Sequence, residues 1–379
     1  MNYGHTLGGP GSEAGVIIGV DGSGNVYQFG TTSAFTAGAF LAKRDSRGNV
    51  LWQRLLDFGG TLAPDGIAVA PDGTVYFAGQ YGGNFTGATV FGKVLSDGTL
   101  GFAKITTALV SANAIALNPV SGDVLITGAT SWSPPSGGLF AIDPNGTVRW
   151  AAFSNGTVVP YAATFDDNGT AFVATTQLFN GRVDAGIIAF NASGAVVGSK
   201  RLDLPDDEYG WSITRGPDGD LYYLGFSYPR YDPIFARFTT NLTPRWTEYG
   251  GSPSLYEYSW RIVSRGDGTF DALGYYYNSS VGQDGGVIYR INSTGAIVGS
   301  SLFPTMGAGG SYLHIQDIAV APDGSVLLSG SSYRSPPRAG TPVGDARVLD
   351  ITASWASDST NWHASSVSIS DLQIGRAHV

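Results

Sequence analysis

A glycine-closed turn recurs seven times along this chain at nearly constant spacing, and no other feature limits its folding as sharply. The glycines are Gly24, Gly73, Gly122, Gly169, Gly219, Gly268 and Gly324, separated by 49, 49, 47, 50, 49 and 56 residues. Each lies between two apolar runs, as in IAVAPDGTVYFAG around Gly73 and IAVAPDGSVLLSG around Gly324. Self-similarity at such a period marks one supersecondary unit copied along the chain. About 24 residues after each turn comes a second hairpin signal: Arg47-Gly48, Asp97-Gly98, Asn145-Gly146, Ser193-Gly194 and Thr294-Gly295, with Asn241-Leu242 in that place in the fifth repeat. Pairs of this kind suit the φ > 0 turns that match strand twist. Each repeat therefore reads as four antiparallel strands, in the second repeat over 67–70, 74–78, 89–95 and 100–105.

The predicted fold is all-β, a seven-bladed β-propeller of four-stranded antiparallel blades. The last repeat supplies only three strands, over 318–321, 325–329 and 346–351. The missing one is sought at the other end, where Tyr3-Gly4-His5-Thr6-Leu7-Gly8-Gly9 matches the exits Leu55-Leu56-Asp57-Phe58-Gly59-Gly60 and Trp246-Thr247-Glu248-Tyr249-Gly250-Gly251. The ring is thus predicted to be closed by the N-terminal strand. The predicted domains are the propeller over 1–351 and a linker or the start of a further domain over 352–373. The last six residues, IGRAHV over 374–379, match one reading frame of a sequencing adapter, which marks the gene as a metagenomic fragment.

Charge narrows the function classes. With 21 Lys and Arg, a net charge of −9 and no basic cluster, the chain lacks the footprint that neutralises several phosphates, so nucleic acid is excluded as a partner. No apolar run reaches the ~18 residues of a membrane span, and no signal peptide is visible at the start. The absence of Cys excludes disulfides, zinc thiolates and a Cys nucleophile. Histidine is confined to His5, His314, His363 and His378, too little for a His-based metal site or general base. Asp166-Asp167-Asn168-Gly169 and Asp206-Asp207-Glu208 do not fit a twelve-residue calcium loop and read as hairpin chemistry. No metal and no cofactor is expected. Arg265-Gly266-Asp267 falls in a hairpin turn and reads as turn chemistry.

LGGPGSEAGVIIGVDGSGNVYQFGTT and LAKRDSRGNVLWQRLL carry a resemblance to the bacterial SBBP (seven-bladed β-propeller) repeat family, over about residues 3–350. GLFAIDPNGTVRW is similar to quinoprotein-type repeats, although no adjacent-cysteine pair accompanies it. The first resemblance implies an exported or surface-associated bacterial protein without shared catalytic residues.

One enrichment points to ligand recognition. Tyr81, Trp132, Phe179, Tyr228, Tyr231, Tyr275 and Tyr276 fall in the expected loops between second and third strands, and Trp211 and Trp260 near the entries of their blades. A ring offers large apolar area and, in Tyr and Trp, a polar tip at low entropic cost. Pro229 and Pro233 flank Tyr231 and restrict its loop. These nine residues are the candidate ligand-binding set. The expected function is a non-enzymatic binding or scaffold module recognising a glycan or protein through this aromatic face. The alternative is a carbohydrate-active enzyme with carboxylates such as Asp65 and Glu257 at the central channel, which requires two acids facing each other across a cleft.

Overall fold

The computed structural model describes residues 4–7, 13–32, 38–82, 87–154, 156, 158–179, 181–203, 206–251, 255–280, 282–304, 306–307, 311–334, 345–351 and 368–370. In chain order the strands are β1 (Gly4–Leu7); β2 (Glu13–Val20), β3 (Val26–Thr32), β4 (Gly38–Arg44) and β5 (Val50–Leu56); β6 (Leu62–Val69), β7 (Val75–Tyr81), β8 (Ala88–Val94) and β9 (Leu100–Thr106); β10 (Ser111–Leu117), β11 (Val124–Trp132), β12 (Pro135–Ile142) and β13 (Val148–Phe153). There follow β14 (Val158–Phe165), β15 (Ala171–Phe179), β16 (Arg182–Phe190) and β17 (Val196–Asp203); β18 (Asp207–Arg215), β19 (Leu221–Tyr228), β20 (Pro233–Phe238) and β21 (Pro244–Tyr249); β22 (Tyr256–Ser264), β23 (Thr269–Asn278), β24 (Gln283–Asn292) and β25 (Ile297–Pro304). The last are β26 (Met306–Gly307), β27 (Ser311–Val320), β28 (Val326–Arg334), β29 (Asp345–Ile351) and β30 (Ser368–Ser370).

The expectation of seven like blades is corrected to six. Six sheets each take four consecutive strands, β2 to β5 through β22 to β25. The sheet that would be the seventh is built differently: it has five strands in the order β1-β29-β28-β27-β26, drawn from both ends of the chain. Its β1 runs antiparallel to β29, with Gly4 opposite Leu349 and Leu7 opposite Ala346. The turn spacing alone could not set this sheet apart, because a turn glycine marks only the first hairpin of a sheet, although its strand from the N-terminus was expected. Within the sheet of β14 to β17, β30 adds a fifth strand at the edge of β17.

The chain divides into two compact units. The first, Met1–Ala112, Gln283–Gly286 and Leu302–Ser354, holds the blades β2 to β5 and β6 to β9 and the five-stranded sheet. The second, Asn113–Gly282, Val287–Ser301 and Trp355–Val379, holds most of the other four blades.

Middle strands are covered on both faces, which is why they read as near-continuous apolar runs: all seven residues of β4 are buried, whereas five of the seven in β5 are exposed. In the first unit Tyr27, Phe29, Leu41, Phe77 and Val90 share one core, with Phe29 and Phe77 edge to face at 5.7 Å. The acids go largely into the turns. Asp21, Asp45, Asp143 and Asp166 each accept the backbone N–H groups two and four residues on, which fixes the hairpin.

A tryptophan latch joins successive blades. Trp52 on β5 donates from Nε1 to Ser96 O at 3.0 Å and lies against Gly98 in the next blade's turn. Trp246 does the same to Ser293 O at 3.0 Å, against Gly295. Trp150 lies against Gly194 and stacks on Phe190 at 5.9 Å. In the next blade the corresponding strand position is Gly198, opposite Ala189 as Trp150 is opposite Ala141. There the turn residue of the following blade is Leu242, at φ 58 and buried, with Cδ1 3.2 Å from where a Gly198 Cβ would lie. Among the described second hairpins, the turn that lacks Gly thus fills the space that an indole fills in other blades.

Candidate functional site

The first strand of a blade carries a bulge at a fixed place. The ladder of β2 on β3 passes from Gly15 opposite Gly30 to Ile17 opposite Phe29 and skips Val16. The same slip skips Asp65, Tyr161, Trp211, Trp260 and Gln316. Every one stands eight residues before its turn glycine, a register open to inspection in the sequence. A bulge re-aims its side chain and bends the strand. It also lets the first strand continue past the slip, so β6 begins at Leu62 rather than at residue 67.

The aromatic set divides by location. In the first unit Tyr81 is half-buried and donates its hydroxyl to Phe58 O at 3.1 Å. Trp132 is exposed at the end of β11 in the second unit. Phe179 ends β15, and its side chain lies outside the described residues. The bulge rings Trp211 and Trp260 are half-buried. Trp211 stacks on Tyr161 at 5.0 Å and leans on Phe226 at 6.0 Å, and its Nε1 is buried without a hydrogen-bond partner among the described residues. Phe226 in turn lies parallel to Tyr209 at 4.8 Å. Trp260 and the half-buried Tyr275 both flank Tyr258, at 5.9 and 5.4 Å.

Two expectations are corrected here. Tyr81, Trp132, Phe179, Tyr228, Tyr275 and Tyr276 belong to strands, because β7 runs to Tyr81, β11 to Trp132, β15 to Phe179, β19 to Tyr228 and β23 to Asn278. Tyr276 is only 2% exposed and packs in a core with Tyr222, Phe235 and Phe270. Alternate residues of a strand point to opposite faces, so Tyr275 and Tyr277 face away from the core that holds Tyr276.

What remains is a tyrosine surface on the blades β18 to β21 and β22 to β25. Tyr228, Tyr256 and Tyr277 are 44%, 49% and 40% exposed. Tyr231 stands edge to face with Tyr228 at 5.3 Å and with Tyr256 at 5.8 Å, and Tyr256 stacks on Tyr277 at 6.3 Å. Tyr277 follows Tyr276 in β23, and Tyr256 stands opposite Tyr277 at the start of β22. Tyr231 takes a left-handed backbone at φ 61. Its N–H donates to Ser227 O at 2.8 Å, and its carbonyl accepts the N–H of Glu257 at 3.1 Å from the neighbouring blade. A non-glycine residue holds such a φ only where its surroundings over-determine it. The loop backbone that carries the ring is therefore already fixed.

Beside these rings Arg230 Nε lies 2.7 Å from Asp206 Oδ2, and Arg182 donates to Asp206 O at 2.5 Å. Burial pushes Asp232 up against the opposing pull of Arg230, and Asp206 adds to the rise. Tyr209 is raised by burial and then by Asp207, Tyr228 and Tyr231, Tyr258 by burial and then by Tyr231, and Tyr249 to about 12 by burial and then by Glu208. At neutral pH these three phenols are donors. Glu257 lies beneath, buried, accepting the Tyr289 hydroxyl. It supports the Tyr231 loop from inside rather than facing solvent.

Asp65 belongs to the first unit. Its Oδ2 is buried without a partner among the described residues, and burial holds the carboxyl well above its ordinary range although Gln80 and Ala112 donate backbone N–H groups to it. The Arg265-Gly266-Asp267 turn is accounted for internally: Arg265 reaches the buried Asp271 at 2.9 Å and Asp267 accepts from Thr269. The first unit also holds a cavity of about 310 Å³, lined by Arg44, Val26 and Leu327 and by turns at 22–24 and 321–325. Among the described residues no three His, Cys, Asp or Glu side chains cluster as a metal site would need, and no helix is long and apolar enough to cross a membrane.

Neither a family model nor a curated protein matches the chain. Solved structures do. A protein from Lactobacillus plantarum superimposes with a TM-score of 0.56 at 11% identity, over 89% of this chain and 99% of that one. The WD40 domain of Pan2 from Neurospora crassa gives 0.53 at 9% identity, over 89% of each. The β-propeller domain of the Trilobed protease from Pyrococcus furiosus, which has an open velcro topology, gives 0.50 at 11% identity, over 87% and 99%. At such identities the likeness shows the fold, a β-propeller, and the narrower SBBP resemblance finds no matching family model.

Proposed function

We propose that this propeller is a non-enzymatic recognition module that takes its ligand on the tyrosine surface of the second unit. The observation that carries the reading is the Tyr231 loop: its backbone is fixed by bonds to two blades, and its ring stands edge to face with exposed rings at 5.3 and 5.8 Å. Ordering cost is then met in folding rather than in binding. Rigid aromatic anchors supply contact area at low entropic cost. Trp211 and Trp260 back this surface from the bulges, while Tyr81 and Trp132 lie on other blades and stay as separate ligand-binding candidates. The resemblance of the repeats to SBBP sequences supports an exported or cell-surface setting.

The test is an array of surface glycans and peptides probed with the labelled chain and with a Tyr228→Ala, Tyr231→Ala, Tyr256→Ala variant. None of the three rings is in a core, so the variant should fold and lose at least about tenfold in binding, a loss of roughly 1.4 kcal/mol. Unchanged binding would move the site elsewhere.

A further inference from the structure

We infer that the ligand of this surface is an uncharged polysaccharide, with Arg230 and Asp206 holding the hydroxyls of one sugar unit. The inference rests on the reading of the tyrosine surface as the ligand site and names its chemistry. A sugar ring offers an apolar C–H face and a rim of hydroxyls, each both donor and acceptor. Its complement is a flat ring beside fixed donors and acceptors. The rings are Tyr228, Tyr231 and Tyr256, the first and last exposed. The fixed polar pair stands next to them in sequence and space: Arg230 adjoins Tyr231, and its Nε is spent on Asp206 at 2.7 Å. A guanidinium carries five N–H donors, so the fork keeps donors beyond Nε, and an ionised carboxylate accepts at both oxygens. The contact from Arg182 to Asp206 O fixes the backbone that carries the acceptor.

Charge selects against the other classes. Arg230 is paired with Asp206, Arg182 is engaged by the Asp206 backbone, and the carboxylate of Asp206 raises Asp232, so a polyanion would meet carboxylates beside two cations already engaged. An apolar peptide would want a deep aliphatic pocket, whereas here the exposed rings end in hydroxyls. A proline-rich peptide is the strongest competitor, since aromatic grooves take that helix too. It would use the rings but has no hydroxyls for the Arg230–Asp206 pair.

The experiment is calorimetric titration of the full chain with cellohexaose, laminarihexaose and maltohexaose as uncharged probes, with hexagalacturonate and a polyproline peptide beside them. At least one uncharged hexasaccharide should bind, and Tyr231→Ala, Tyr256→Ala and Arg230→Ala should each weaken it about tenfold or more. Arg230→Lys, which keeps the charge and loses the fork, should weaken it as well. Arg230 is exposed, so the melting temperature of its variants should not move. Three results would overturn the inference. Uncharged hexasaccharides that all fail to bind do so, as does one that binds regardless of Arg230. Tyrosine-dependent binding of hexagalacturonate or polyproline instead would refute the glycan chemistry while upholding the site. Hexasaccharide binding indifferent to both tyrosines would remove the site reading itself.

Discussion

Gly98→Ala should cost far more than the same change at Gly24, and the difference should vanish once Trp52 is removed. Both glycines have left-handed backbone, φ +84 and +78, so each substitution carries the ~1–2 kcal/mol penalty of that region for an L-residue. They differ in what a Cβ meets. At Gly24 the nearest atom is Ser46 Cβ at 3.6 Å, ordinary contact. At Gly98 the added carbon would lie 2.9 Å from Trp52 Cγ and 3.0 Å from Cδ2, and 2.9 Å from Arg54 Nη2. The indole cannot retreat freely, because Nε1 is tied to Ser96 O at 3.0 Å and the ring is packed against Tyr27 at 6.1 Å. Overpacking of this kind costs about 1–3 kcal/mol, so Gly98→Ala should cost roughly 2–5 kcal/mol in total. Trp52→Ala alone should cost about 3–5 kcal/mol, as for large aromatic truncations in cores. The double variant should be less destabilised than the sum by the overpacking share, about 1–3 kcal/mol. Equilibrium urea unfolding of the four proteins, with Gly24→Ala as reference, gives the cycle. If Gly98→Ala costs no more than Gly24→Ala and the cycle is additive, the latch is loose and the argument from close approach fails.

Two further outcomes are expected. The Asp65 carboxyl is raised above its ordinary 3.8 by burial, so the folded state holds its proton at pH values where the unfolded chain has lost it; stability must then fall as pH rises from about 4 through the folded value, and Asp65→Asn should flatten that slope. Melting curves of the two proteins that stay parallel from acid to neutral pH would contradict this. Tyr276→Ala should destabilise by about 3–5 kcal/mol as a core truncation, whereas Tyr277→Ala, 40% exposed, should fall within about 0.5 kcal/mol; equal unfolding midpoints would show that the burial of Tyr276 is misjudged.

Much of the fold was legible because turn chemistry is local. An Asp or Asn that bonds backbone two and four residues on, followed by a glycine at positive φ, needs nothing from the rest of the chain, so the hairpins of Gly24, Gly169 and Gly295 could be placed from residues alone. Four strands per repeat followed from those turns. The count of like blades did not, because the sheet drawn from both ends adds β26, a strand that no turn signal marks, whereas the pairing of β1 with β29 was expected from the likeness of 3–9 to the strand exits. The candidate site divides along the same line. Tyr231 could be singled out from its flanking prolines, and the tertiary structure adds the bond from Glu257 that holds it. Tyr276 could not be told from Tyr277, since the side facing the core depends on register against β22 and β24. Leu242 could be seen to depart from the glycine rule, but only the neighbouring blade, with Gly198 where an indole would stand, gives the reason. The sequence by itself determined where this chain turns; which side chains those turns bring to the surface was decided by packing between blades, because burial belongs to pairs of segments far apart in the chain.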